Sequence, residues 1–310
     1  MKLTVYQLEQ LLQLATEAAL KAGAFINSLD RSSLQVHSKQ AGSSLSAQVV
    51  TQVDLDSQVI ILEILQPTID QYDLALLTEE NASEEDVATH ARFNKDYFWC
   101  IDPLDGTLPF IEGGDGFAVS IALVDIAGKP VIGVVHNPSS GDIYQAINAQ
   151  PLISKVLKNG LLWQSERLKK YSHSLSLYID RSFQQDPRYP AVIEQLTRLS
   201  AQQGLALQMI KTNGAVMNAI GVLENAPACY LKLPKPQLGG GSLWDFSATV
   251  AITQALSAQY LASSSQACCA VSDAQGAPLD LNRKDSNYMN HKGVLYTSRL
   301  QHQTFLNVIN

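Results

Sequence analysis

Apolar residues in the first thirty positions recur at spacings of three and four. Such a spacing places them on one face of a helix. Thr4, with Gln7 three residues later, predicts a capping box at the start of that helix. The apolar positions of this predicted amphipathic helix are Leu8, Leu11, Leu12, Ala15, Ala18, Ala19, Ala22, Phe25 and Ile26.

Shorter apolar runs follow this helix and predict strands. The polar stretch 37–48 predicts a loop or a β-hairpin, and residues 49–65 predict a strand end, an aspartate cap and a second apolar helix. Strands are then predicted within 73–81, 97–107, 116–125, 129–138 and 142–149, with 116–125 and 129–138 as an antiparallel pair.

The second half of the chain alternates between the two patterns. Strands are predicted at 174–180, 205–211, 228–234 and 293–298, and helices at 190–204, 214–226 and 244–258. Strand–helix alternation indicates an α/β lobe. We therefore predict an α/β protein with an α+β first half, divided into a domain 1–152 and a domain 153–310.

Composition and charge exclude several classes of function. The 310-residue chain is 46% hydrophobic and 16% charged, with a net charge of −7 and no run of lysines or arginines, which argues against a nucleic-acid surface. Four cysteines show no zinc spacing and fit a reduced setting. The N-terminus lacks the pattern of a signal peptide, and no apolar run approaches the ~20 residues of a membrane span. We expect a soluble, cytoplasmic protein without membrane or nucleic-acid partners.

Two aspartates follow one apolar run in the stretch FWCIDPLDGT, residues 98–107. Pro103 stiffens the turn, so that Asp102, Asp105 and the Leu104 carbonyl can converge. Gly106 and Thr107 allow close approach of a ligand and begin a helix whose amides face an anion. Oxygen ligands suit Mg²⁺ or Mn²⁺. The alternative is a surface turn with an aspartate cap.

Acidic residues stand at three further strand or helix ends. Glu79 and Glu80 follow an apolar run, where a solvated loop is the alternative. Asp54 and Asp245 stand at the starts of apolar helices, where helix capping is the alternative. With the turn that contains Asp102 and Asp105, these make four acidic junctions, and together they favour a shared metal site.

The motifs VVTQVD, LTEE, DPLDGT and LWDFSA, in this order, resemble those of the inositol monophosphatase family of Mg²⁺-dependent, lithium-sensitive phosphatases. The similarity spans nearly the whole chain. It implies the αβαβα layered sandwich of the sugar-phosphatase type, and a metal-dependent phosphomonoesterase that holds two or three Mg²⁺ ions, with Mn²⁺ as a substitute.

The resemblance also implies roles for individual residues. Thr107, Asp54 and Glu79 match the residues that act on the attacking water, and Glu80 and Lys39 are expected to support the ligands. The amides of Gly106 and Thr107 match the phosphate cradle, and Asp245 also matches a substrate contact. The implied metal ligands are Glu79, Asp102, the Leu104 carbonyl, Asp105 and Asp245.

The substrate is less closely defined by the sequence. No acid lies between Tyr230 and Trp244, where inositol enzymes of the family place a glutamate. Lys232 and Lys235 lie there instead and are either substrate contacts or solvated lysines. Three parts of the chain resemble the branch of the family that hydrolyses 3'(2')-phosphoadenosine 5'-phosphate. They are this stretch, the segment that contains Lys39, and residues 280–298.

We therefore favour a 3'(2'),5'-bisphosphate nucleotidase that acts on a small phosphorylated metabolite. The alternatives are an inositol or other sugar monophosphatase, and a catalytically weak ligand sensor or scaffold. The family resemblance implies a homodimer as one form of assembly.

Overall fold

Two large β-sheets and three groups of helices are stacked in layers. The computed structural model describes residues 2–29, 36–38, 49–83, 86–150, 152–163, 173–237, 241–262 and 267–309. Within these ranges the strands form a seven-stranded sheet, a five-stranded sheet and a two-stranded hairpin. The hairpin pairs β1 (Val36–Ser38) with β2 (Val49–Thr51). This agrees with the β-hairpin, which is one of the two alternatives predicted for the polar stretch 37–48.

The first sheet has seven strands in the order β3 to β9. The β3 and β4 strands are parallel, and every later neighbour in this sheet is antiparallel. The strands are β3 (Ala75–Thr78), β4 (Tyr97–Asp105), β5 (Ala118–Asp125), β6 (Pro130–His136), β7 (Ile143–Ala149), β8 (Ile153–Lys158) and β9 (Leu161–Leu162).

Helices cover both faces of this sheet, because successive side chains of a strand point to opposite faces. Trp99 and Ile101 of β4 pack with α1 (Val5–Ser28) and α2 (Gln52–Tyr72). Their neighbours Phe98 and Cys100 pack in a second core with α5 (Ala215–Glu224) and α6 (Leu243–Leu261). The predicted capping box of α1 is confirmed, with Gln7 N donating to Thr4 Oγ1 at 3.3 Å.

The second sheet has the strand order β11-β10-β12-β14-β13. Strand β10 lies parallel to both β11 and β12. One face packs on α5 and α6, and the other packs on α4 (Tyr189–Gln202) and α7 (His302–Ile309). The strands are β10 (Ser174–Tyr178), β11 (Ala206–Ile210), β12 (Ala228–Lys232), β13 (Cys269–Ser272) and β14 (Val294–Ser298).

The order of layers is α1 and α2, the first sheet, α5 and α6, the second sheet, then α4 and α7. The predicted αβαβα sandwich is therefore confirmed. The division between residues 152 and 153 stays a prediction. The first sheet continues past it through β8 and β9, and the chain enters the second sheet only at Ser174.

In the part of the chain that the structure describes, no helix has the length and apolar character needed to cross a bilayer.

Candidate active site

Strand β4 changes its pairing register between Asp102 and Asp105. Asp102 lies opposite Ser120, while Asp105 lies opposite Ala118, so three steps along β4 match two steps along β5. This is a β-bulge, and Pro103 fits there because a bulged residue does not need a ladder donor. In a regular strand, residues three apart point to opposite faces. The bulge therefore allows both carboxylates to face the same site.

Asp245 joins these two aspartates from the first turn of α6. Asp102, Asp105 and Asp245 each offer a carboxylate oxygen, and the three oxygens lie within 4.8 Å of one another. Asp102 and Asp105 are buried, and Asp245 keeps some exposure. Ser242 N donates to Asp245 Oδ2 at 2.9 Å in a capping box, so the carboxylate is fixed by the helix that carries it.

Burial raises the pKa of all three carboxyls, and the charge of at least one neighbouring carboxylate adds to the shift of each. Burial is the first cause for Asp102, followed by the charges of Glu79, Asp105, Asp245 and Asp54. Burial and the charge of Asp245 raise the pKa of Asp105. Burial raises the pKa of Asp245, and the charge of Lys232 opposes this shift.

The donor set fits a hard divalent cation. Like charges packed this closely disfavour ionisation unless a cation joins them. Oxygen is the ligand atom that Mg²⁺ and Mn²⁺ prefer. Because the clustered oxygens all come from carboxylates, these residues fit the metal site that the sequence predicts.

The carboxylate of Asp105 is held by the N-terminus of α5. Ala215 N donates to Oδ1 at 3.1 Å and Val216 N donates to Oδ2 at 2.9 Å. Gly214 precedes them, and a Cβ on it would lie 2.3 Å from Asp105 Oδ2. Sequence reasoning missed this contact. The available signal was the glycine that precedes an apolar helix.

Glu79 and Glu80 stand in the turn that follows β3 and are partly buried. Glu79 N donates to the Ile101 carbonyl at 3.1 Å, which ties this turn to the residue before Asp102. The carboxylate of Glu79 lies near enough to raise the pKa of Asp102. It is outside the tight group of three, so its role as a ligand and that of Glu80 in support stay predictions.

Asp54 and Thr107 lie together beside the bulge. Thr107 Oγ1 is 3.3 Å from Asp54 Oδ1 and 3.2 Å from the Leu104 carbonyl oxygen, so two acceptors share its proton. Leu104 N donates to Asp102 Oδ1 at 3.0 Å. The predicted aspartate cap of α2 is wrong, because the helix begins at Gln52 and places Asp54 inside its first turn.

Gly106 connects the bulge to α3 (Thr107–Ile111). Its φ of +83° lies in the left-handed region, and a Cβ there would meet the Gly116 carbonyl oxygen at 2.7 Å. Glycine is therefore required at this turn. The predicted helix start at Thr107 is confirmed, and the helix has only five residues.

The predicted substrate lysines lie at and beyond the end of β12. Lys232 Nζ is 2.6 Å from Asp180 Oδ2, and its side chain is 12% exposed. Lys235 is partly buried, and burial, followed by the charge of Lys232, lowers its pKa. Sequence reasoning missed Asp180, although its place at the end of β10 was a usable signal. Lys39 lies outside the described residues.

The profile of the inositol monophosphatase family matches residues 7–307 of this chain. The chain belongs to the inositol monophosphatase family. The predicted resemblance is thus confirmed, and the chain is a phosphatase, a metal-dependent hydrolase of phosphoric monoesters.

The curated relatives of this chain have names that indicate different substrates. The chain is 27% identical over 243 residues to 3'(2'),5'-bisphosphate nucleotidase CysQ of Escherichia coli K12, covering 76% of this chain and 81% of the relative. It is 28% identical to histidinol-phosphatase of Chlorobaculum parvum, covering 76% and 85%. It is 37% identical to inositol-1-monophosphatase of a Synechocystis species over 139 residues only, covering 45% and 44%.

Solved structures share the fold along almost the whole chain. The extragenic suppressor protein suhB from Bartonella henselae has a TM-score of 0.68 at 19% identity, covering 97% of this chain and 98% of that one. Inositol monophosphatase from an Anabaena (Nostoc) species has a TM-score of 0.65 at 22% identity, covering 98% and 96%. These likenesses support the layered sandwich of the inositol monophosphatase family.

Proposed function

We propose that this chain is a Mg²⁺-dependent 3'(2'),5'-bisphosphate nucleotidase that converts 3'-phosphoadenosine 5'-phosphate to AMP and phosphate. The observation that carries the proposal is the lysine beside the carboxylate cluster. Lys232 lies close enough to lower the pKa of both Asp105 and Asp245. A fixed cation beside a phosphatase centre suits a substrate with a second phosphate.

The metal would be held by the oxygen ligands described above. These are Asp102, Asp105 and Asp245, with Glu79 and the Leu104 carbonyl as further proposed ligands. When bound, the ions neutralise the charge of the phosphate ester and lower the pKa of a water nucleophile. Two or three Mg²⁺ ions are proposed, with Mn²⁺ as a substitute.

Thr107 and Asp54 are proposed to position the attacking water and to take up its proton. Asp54 is buried, and its Oδ1 shares the proton of Thr107 Oγ1 with the Leu104 carbonyl oxygen. Donation by Thr107 leaves the lone pairs of its oxygen to accept from a water. The amides of Gly106 and Thr107 are proposed to hold the scissile phosphate.

Lys232 and Lys235 are proposed to bind the second phosphate. An ammonium has three donors, and one of those on Lys232 is directed to Asp180. Burial lowers the pKa of Lys235, and a phosphate dianion beside it would oppose that shift. A second phosphate therefore stabilises both lysines. A homodimer, which the family resemblance implies, and a cytoplasmic location, which the cysteine pattern favours, remain proposals.

The test is phosphate release from 3'-phosphoadenosine 5'-phosphate and from inositol 1-phosphate, each measured with Mg²⁺, with EDTA and with added Li⁺. We expect Mg²⁺-dependent, Li⁺-inhibited turnover in which the nucleotide has the higher kcat/KM. The Asp102→Ala variant is expected to lose turnover while it remains folded. A higher kcat/KM for inositol phosphate would overturn the substrate, and a ligand response that survives Asp102→Ala without turnover would favour the sensor.

A further inference from the structure

Asp180 and Lys232 end two neighbouring parallel strands of the second sheet. Asp180 follows β10 and Lys232 closes β12, and the two strands are paired in register from Ser176 with Ala228 onward. The chain leaves β10 toward α4 on one face, and it leaves β12 toward α6 on the other face. Open α/β sheets bind ligands at such a switch point, outside the carboxyl ends of the strands.

The carboxylate of Asp180 is fixed on two sides. Tyr230 OH donates to Oδ1 at 3.0 Å, and Lys232 Nζ lies 2.6 Å from Oδ2. Tyr230 is fully buried and stacks on Tyr296, with 6.1 Å between ring centroids. The donor that holds Asp180 therefore has little freedom to move, and the carboxylate is preorganised.

Asp180 also remains able to accept a further hydrogen bond. Each carboxylate oxygen has two acceptor positions, and the contacts with Tyr230 and Lys232 use one on each oxygen. The side chain is 26% exposed, so a ligand can reach it. Its charge is among those that raise the pKa of Asp245, which places it close to the carboxylate cluster.

We propose that Asp180 is a specificity-determining residue, whose carboxylate accepts a hydrogen bond from a sugar hydroxyl of the substrate. A carboxylate accepts from hydroxyls and repels phosphate, while the neighbouring Lys232 attracts phosphate. The pair therefore fits a sugar that carries both a hydroxyl and a phosphate, as the ribose of 3'-phosphoadenosine 5'-phosphate does. This inference rests on the proposed phosphomonoesterase activity of the carboxylate cluster.

The test compares matched substrates that differ in one hydroxyl. One pair is 3'-phosphoadenosine 5'-phosphate and its 2'-deoxy analogue, and the other is inositol 1-phosphate and its 2-deoxy analogue. Both pairs are assayed with the wild type, with Asp180→Asn, and with Asp70→Asn as a control at an exposed carboxylate of α2. The Mg²⁺-induced shift in Tm reports on folding and metal binding in every variant.

We expect the wild type to prefer the hydroxyl-bearing member of the pair that it hydrolyses by about ten- to hundredfold in kcat/KM, the range for a hydrogen bond to a charged group. Asp180→Asn is expected to reduce this ratio toward one, with a normal Mg²⁺ shift, and Asp70→Asn to preserve the ratio. Equal losses on both members of a pair would overturn the proposal, since Asp180 would then only position Lys232.

The two substrate pairs separate this inference from the proposed function. Hydrolysis of inositol 1-phosphate without hydrolysis of the nucleotide would refute the nucleotidase, and the second pair would still test Asp180. Hydrolysis of the nucleotide with a ratio that Asp180→Asn leaves unchanged would refute the role of Asp180 alone.

Discussion

The packing of Gly214 against Asp105 makes one substitution especially informative. Gly214 has φ −68° and ψ 174°, which alanine also adopts, so Gly214→Ala introduces no backbone strain of its own. The added Cβ would lie 2.3 Å from Asp105 Oδ2 and 2.7 Å from Gly106 Cα. The substitution therefore acts on the metal ligand and on the phosphate cradle together.

The size of the effect follows from these distances. Ordinary contact of a Cβ begins at 3.4 Å, so the carboxylate or the start of α5 must move by 3.4 − 2.3, which is 1.1 Å. Such a displacement breaks the bonds from Ala215 N and Val216 N. Overpacking costs about 1–3 kcal/mol of unfolding free energy. Misplacing a catalytic group by ~1 Å costs about hundredfold in rate.

The assay measures kcat/KM and the Mg²⁺-induced shift in Tm for Gly214→Ala. Gly114→Ala is the control, because its Cβ would meet only the Pro109 carbonyl group, at 3.3 Å from the oxygen. We expect a loss of about hundredfold in kcat/KM and a smaller Tm shift for Gly214→Ala alone. If both variants have the same rate and the same Tm shift, the helix contact does not position Asp105.

Three further predictions concern charge and burial. The pKa of Asp102 is raised above its unfolded value of ~3.9, so the metal-free protein loses stability as the pH rises above ~4. Asp102→Asn should reduce this dependence of Tm on pH, measured by thermal melts in EDTA. An unchanged dependence would contradict the raised pKa of Asp102. Lys158 forms ion pairs with Asp142 and Glu224, so Lys158→Met should lower the free energy of unfolding in urea by about 1 kcal/mol. The loss should be smaller in about 1 M salt. A loss that does not depend on salt would show that packing, and not charge, is the cause. The four cysteines are buried, so Ellman's reagent should label them only on unfolding, whereas labelling of the native state would refute their burial.

The carboxylate cluster was predictable because its signals are local in the sequence. Pro103 and Gly106 mark a turn, and two acids stand on either side of Leu104. Asp245 begins an apolar helix and is recognisable by that position. The structure adds the β-bulge, which explains how acids three apart on a strand face one site.

Contacts between residues that lie far apart in the sequence were not predictable. Hydrophobic periodicity locates strands but does not determine which strand ends become neighbours. The pairing of Asp180 with Lys232 depends on the parallel register of β10 and β12. The start of α2 at Gln52 was also missed, because an acid near a helix start fits a cap and a first turn equally well.

Helix α5 begins with a glycine that supplies no side-chain cap. Its first amides are satisfied by Asp105, which lies 110 and 111 positions earlier in the chain. The helix therefore has this cap only when Asp105 of β4 lies beside its first turn. The second half, expressed alone, would expose these amides and the face of α6 that covers the first sheet. We therefore expect the two sheets to unfold together, and we expect a fragment that begins after the first sheet to lack a stable helical layer.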